Sequence, residues 1–104
     1  MAQTSLFVKM VALPDKRDEM IAALETMLPQ VATEEGTLVY SFHTDAGDEN
    51  TVWIFELYTD GDALGAHGGS DAMAACFGLL GPLFAEPPMM VMATPTANNK
   101  GLPS

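Results

Sequence analysis

"TLVYSFHTDAGDENTVWIFELYT", residues 37–59, decides how this chain folds. Two runs rich in β-branched and aromatic residues, 37–44 and 51–59, flank the polar, turn-prone DAGDEN. That pattern predicts an antiparallel hairpin. With 44 set opposite 51, Leu38, Tyr40 and Phe42 share a face with Trp53, Phe55 and Leu57. Val39, Ser41 and His43 then join Val52, Ile54, Glu56 and Tyr58 on the other face. A slip of one residue would reassign these neighbours, because side chains alternate along a strand. In either register both faces carry apolar bulk.

Outward from the hairpin, the period changes from two to about 3.6. Upstream, Met20, Leu24, Met27/Leu28 and Val31 form one helical face, with Pro29 expected to bend or break its last turns. Asp15 is the expected N-cap, after Pro14 stops a first strand at 5–13, and Gly36 is the expected stop. Downstream, Asp60 or Asp62 should cap a short helix through His67. Gly68-Gly69 should break it and Ser70 restart a second helix striped by Met73, Phe77, Leu80 and Phe84. "MMVMAT", 89–94, is the expected last strand, and the tail 95–104 has no apolar pattern and is expected to be mobile.

The order is β-α-β-β-α-β within a single domain, 1–94. It is the ferredoxin-like split βαβ arrangement, α+β in class, with a four-stranded antiparallel sheet and helices on one face. The opposite face is left apolar, which predicts burial against a second copy, face to face.

Composition narrows the function. The formal net charge is −10, with 14 acidic residues against 4 basic ones. Phosphate binding needs clustered Lys and Arg, so the charge argues against nucleic acid and an anionic membrane surface as partners. The single Cys76 cannot make an internal disulfide, and no Cys/His spacing suggests zinc. No run reaches the roughly 20 apolar residues of a membrane helix, and the start lacks the pattern of a signal peptide. A cytoplasmic protein is expected.

"EEGTLVYSF" (34–42) and "TVWIFELYTDGDALGAHGGSDAM" (51–73) resemble the antibiotic biosynthesis monooxygenase family. The matching positions are Glu34/Glu35, Gly36, Tyr40, Glu56, Tyr58, Asp60, Ala63-Leu64 and His67. The resemblance implies a dimeric α+β barrel protein with a pocket between sheet and helices. It implies oxidation of phenolic or quinol substrates by O2, with no metal and no flavin. Many members carry Ser/Thr-Pro-His after the histidine; this chain has Ser70-Asp71-Ala72-Met73 instead. Haem-degrading relatives carry an Asn on the first strand, and "SLFVKM" has none.

Cofactor-free oxygenation requires an aromatic substrate to lose a proton and become an easily oxidised anion. A histidine titrating near pH ~6.5 suits that transfer. His67 is therefore the expected acid/base, with Glu56 orienting it or the substrate. Tyr40, Trp53 and Tyr58 are the expected substrate-binding residues. Structural roles compete with each assignment. His67 fits a helix end, where a cation meets free carbonyls. Glu56 fits a pair with Lys9 or an imidazole, and Tyr40 and Trp53 fit a core or dimer interface. Two other functions fit the same residues: isomerisation of a small carbonyl compound, and small-molecule or haem binding without turnover.

Overall fold

The computed structural model describes residues 2–103. Four strands are present: β1 (Thr4–Val11), β2 (Thr37–Thr44), β3 (Thr51–Tyr58) and β4 (Met89–Ala93). The helices are α1 (Arg17–Glu25), α2 (Leu28–Val31), α3 (Gly61–Gly68) and α4 (Asp71–Leu80), the last running into a 3-10 turn at Gly81–Leu83. The sheet order is β2-β3-β1-β4, with every neighbour antiparallel. This is the ferredoxin-like α+β fold.

Leu6, Val8 and Met10 of β1 and Val52 and Ile54 of β3 point to the helices. They pack on Met20 and Leu24 of α1 and Cys76 and Leu80 of α4. The Cys76 thiol donates to the Ala23 carbonyl (3.3 Å), tying the two helices together. Cys76 is thus a packing residue, as its place on the helical stripe suggests.

Local chemistry sets the helix boundaries. Ser70 caps α4, its hydroxyl accepting from the Met73 N–H (3.1 Å). The first helix breaks after Glu25, and Pro29 sits in the first turn of α2, where its missing N–H loses no bond. The expected Asp15 cap is not made. The Lys16 N–H bonds the Leu13 carbonyl (3.0 Å), and Asp15 is left-handed, φ 65°. It occupies the third position of a turn after Pro14, where a positive φ is wanted and Asp tolerates it. Lys16 takes the cap position without a side-chain bond.

The hairpin register differs by one residue from the 44-opposite-51 expectation: Thr44 faces Val52 and Tyr40 faces Glu56. The Asp45 carboxylate accepts from the N–H groups of Gly47 (2.9 Å) and Asp48 (2.8 Å), and the Asp45 N–H bonds the Thr51 carbonyl (3.1 Å). The loop therefore closes on Asp45 rather than Thr44. A bulge between Thr37 and Val39 absorbs the offset at the other end. Tyr40 and Phe42 consequently pack on the core side with Glu56.

The far face keeps apolar bulk at its surface. Phe7 is 46% exposed and Trp53 37%. Phe7 stacks on Phe55 at 5.3 Å between ring centres, and the Lys9 ammonium lies 5.7 Å from the Trp53 ring. Residues 95–103 lie at one end of this face. There Pro95 and Leu102 border a cleft with Phe7 and Phe55, and the Gln3 amide donates to the Pro103 carbonyl (2.7 Å). Among the described residues no helix is long and apolar enough to cross a membrane.

Candidate active site

A close backbone approach builds the polar end of the site. A Cβ placed on Gly36 would lie 2.5 Å from the Ala63 Cβ, so only glycine lets the turn before β2 press against α3. The Thr59 N–H bonds the Gly36 carbonyl (2.9 Å), and the Asp60 carboxylate caps α3 through the Ala63 N–H (2.9 Å). The last turn of α3 then delivers His67, 2% exposed, to Glu34.

His67 Nδ1 lies 2.9 Å from Glu34 Oε1. The Thr37 hydroxyl (2.8 Å) and the Gln30 amide (2.9 Å) also donate to this carboxylate. Partial burial works upward on Glu34, but the bonds from Gln30, His67 and Thr37 outweigh it and hold the carboxyl below its ordinary range. An ionised carboxylate only accepts, so the imidazole carries its proton on Nδ1. Nε2 is buried without a hydrogen-bond partner and faces Glu56 Oε1 across 3.8 Å. The rings of Tyr40 and Tyr58 flank the imidazole, 5.0 and 5.5 Å between centres.

Glu56 is 4% exposed and takes a short hydrogen bond from the Tyr58 hydroxyl. Burial pushes its carboxyl above the ordinary range; the Tyr58 bond and the nearby imidazole pull back only in part. Burial, and then Glu56 itself, push both Tyr40 and Tyr58 well up, so both remain neutral phenols.

In front of Glu56 lies a cavity of about 400 Å³ between the sheet and the helices. Its walls are apolar: Leu6 and Val8 of β1, Leu64 of α3, Met73 and Phe77 of α4, Met90 and Met92 of β4. Glu56 and Tyr40 contribute its polar side chains. β4 is an edge strand with Met90 and Met92 exposed, so these flexible side chains form the rim.

The structure therefore brings four of the five expected site residues together, in an order the sequence did not suggest. Glu56 and Tyr40 border the cavity, whereas His67 and Tyr58 stand behind them. Trp53 is on the opposite face of the sheet, its indole N–H bonded to Asp45 (2.7 Å). It is three residues from Glu56, and odd spacing along a regular strand puts two side chains on opposite faces. Glu34 went unassigned; its place two residues before Gly36 was the available signal. Among the described residues no group of three or more His, Cys, Asp or Glu side chains has metal-binding geometry.

Fold and site together define a small ferredoxin-like protein with an apolar pocket closed at one end by a buried carboxylate–imidazole cluster. The chain belongs to the antibiotic biosynthesis monooxygenase family, which residues 5–78 match. An uncharacterised Synechocystis protein, sll1783, is 35% identical over 54 residues, 52% of this chain. The match spans only 37% of that relative's length. A Caulobacter crescentus CB15 structure, described as a candidate antibiotic biosynthesis monooxygenase, superposes with a TM-score of 0.87 at 27% identity over 91% of each chain. Rv0793 from Mycobacterium tuberculosis has the same fold: TM-score 0.85, 24% identity, 93% of this chain and 98% of that one.

Proposed function

We propose that this protein is a cofactor-independent monooxygenase that oxidises a small aromatic substrate, of quinol, phenol or polyketide type, with O2. The observation that carries this reading is one carboxylate, Glu56, set with Tyr40 in the wall of a largely apolar cavity of about 400 Å³. Such a cavity suits a flat, neutral, largely apolar molecule with an acidic O–H or C–H. A base in a dry site with a raised pKa is well matched to a weak carbon or phenol acid.

Glu56 removes the substrate proton, Tyr58 holds the carboxylate in place, and Tyr40 hydrogen-bonds the substrate oxygen as negative charge develops. His67 acts behind Glu56 rather than on the substrate. The substrate anion gives one electron to O2, and the two radicals combine to form a C–O bond. Protonation yields a hydroperoxide, which loses water to leave the carbonyl. For an anthrone-type CH2 group the sum is CH2 plus O2 to C=O plus H2O. The chemistry asks for O2 as co-substrate and no resident cofactor.

A homodimer closes the far face, where Phe7, Trp53 and Phe55 lie together. A cytoplasmic setting accompanies this reading.

The test is turnover of anthrones, quinols and catechols under oxygen-18 gas. One labelled oxygen in the quinone supports the reading. A redox-neutral isomer of the substrate, formed equally well under argon, indicates the isomerase alternative instead.

A further inference from the structure

A second cavity, of about 190 Å³, lies on the other side of His67. Glu34, Gln30, Thr37 and Ala63 border it together with the imidazole. His67 thus stands between two cavities, one apolar and fronted by Glu56, the other bordered by the polar side chains of Glu34, Gln30 and Thr37. Its two ring nitrogens face two different carboxylates: Nδ1 bonds Glu34 (2.9 Å), and Nε2, buried and unpartnered, faces Glu56 (3.8 Å). The Glu34 side chain is 13% exposed, against 6% for Glu56, so the row runs from dry to wet.

We propose that Glu56, His67 and Glu34 form a proton relay, with Glu34 as its solvent-side terminus. Glu34 is a positioning and proton-accepting residue that never meets the substrate. The direction of flow rests on the oxygenase reading; the relay itself does not. On the outward stroke Glu56 passes the proton it has taken to His67 Nε2. The Nδ1 proton moves to Glu34 Oε1 and leaves to water in the smaller cavity. On the return stroke Nε2 gives its proton through Glu56 to the peroxy anion, while Glu34 takes up a proton from water and passes it to Nδ1. The imidazole is then back in its starting tautomer, and the cycle adds no charge to the buried cluster. Nε2 and Glu56 must close by about 1 Å to reach hydrogen-bond distance, a tightening expected when a ligand fills the site. The titratable groups facing the imidazole are Glu34, Glu56, Tyr40 and Tyr58.

The test needs no substrate. Nitrogen-15 spectra of the full-length protein report the His67 tautomer and the exchange of its Nδ1 proton with water. The relay predicts the Nδ1–H tautomer in the wild type. In Glu34→Gln, whose amide cannot take up the proton, exchange should slow at least tenfold; Glu34→Asp should restore part of it. A merely structural Glu34 predicts the opposite, since a weaker bond exposes the proton and exchange stays equal or quickens. An Nε2–H tautomer in the wild type, or exchange undiminished in Glu34→Gln, overturns the relay. Both readouts are independent of oxygen chemistry, so the relay and the oxygenase reading can fail separately.

Discussion

Replacing Gly36 with alanine tests how the site is assembled. The new Cβ would lie 2.5 Å from the Ala63 Cβ and 3.2 Å from the Thr59 hydroxyl. Two carbons pack best at about 3.5–4.0 Å, so the turn and α3 must separate by roughly 1 Å. Neither Cβ can rotate away, because both are fixed to backbone. Overpacking of this kind costs about 1–3 kcal/mol. Alanine also restricts the unfolded chain, which offsets about 0.4–1 kcal/mol. A net loss of about 1–2 kcal/mol is expected, and each kcal/mol lowers Tm by about 4–8 °C in a domain of this size. Urea denaturation should show a lower midpoint with an unchanged slope. The separation should also lengthen the Glu34–His67 bond, seen as a shift of the Nδ1 resonance. Adding Ala63→Gly removes the opposing Cβ, so the two substitutions should couple favourably by about 1 kcal/mol or more. Gly36→Ala with wild-type stability and an unmoved Nδ1 signal would refute the close-approach reasoning.

Four further outcomes follow from the same geometry. Tyr58→Phe removes the hydroxyl that holds buried Glu56 and should cost about 1–3 kcal/mol, more in alkaline buffer, where the carboxylate is ionised, than in acid; denaturation at two pH values checks it. The Glu56 carboxyl is raised in the folded state above its ordinary 4.5, so the folded protein binds that proton more tightly than the unfolded chain. Its stabilising contribution is complete below pH 4.5 and is lost as pH rises through the folded value. Glu56→Gln should flatten that part of the stability profile. Met73→Trp should fill much of the cavity and weaken binding of an aromatic probe such as 1-naphthol at least tenfold, leaving the His67 signals in place. If the far face joins two copies, Phe7→Glu should yield monomers by light scattering with unchanged far-UV circular dichroism; dimers that persist would move the interface elsewhere.

Much of this fold is legible in the sequence because the period of each segment is strong. The strand at 37–44 is reproduced residue for residue, and Asp60, Ser70 and Pro29 punctuate the helices as their chemistry requires. The hairpin register is not legible. It hangs on which residue closes a six-residue loop, and Asp45 closes it with three side-chain hydrogen bonds, one of them from Trp53. That single offset moves Tyr40 to the Glu56 face. The site is legible as a set of residue types and not as an arrangement. Glu56, Tyr58 and His67 lie within twelve positions of chain, but which of them fronts the cavity depends on helix docking against the sheet. Docking in turn depends on the contact of Gly36 with Ala63, 27 positions apart in the chain. Glu34 joins the cluster through that contact, so its place two residues before Gly36 marks the position but not the role.

The most direct measurement is oxygen uptake by purified, metal-depleted protein with a panel of anthrones, quinols and catechols, wild type beside Glu56→Gln. Uptake above the uncatalysed rate, one O2 consumed per quinone formed, and at least a hundredfold loss in the variant are expected. Uptake that survives intact in Glu56→Gln would contradict the assignment of that carboxylate as the base on which the mechanism depends.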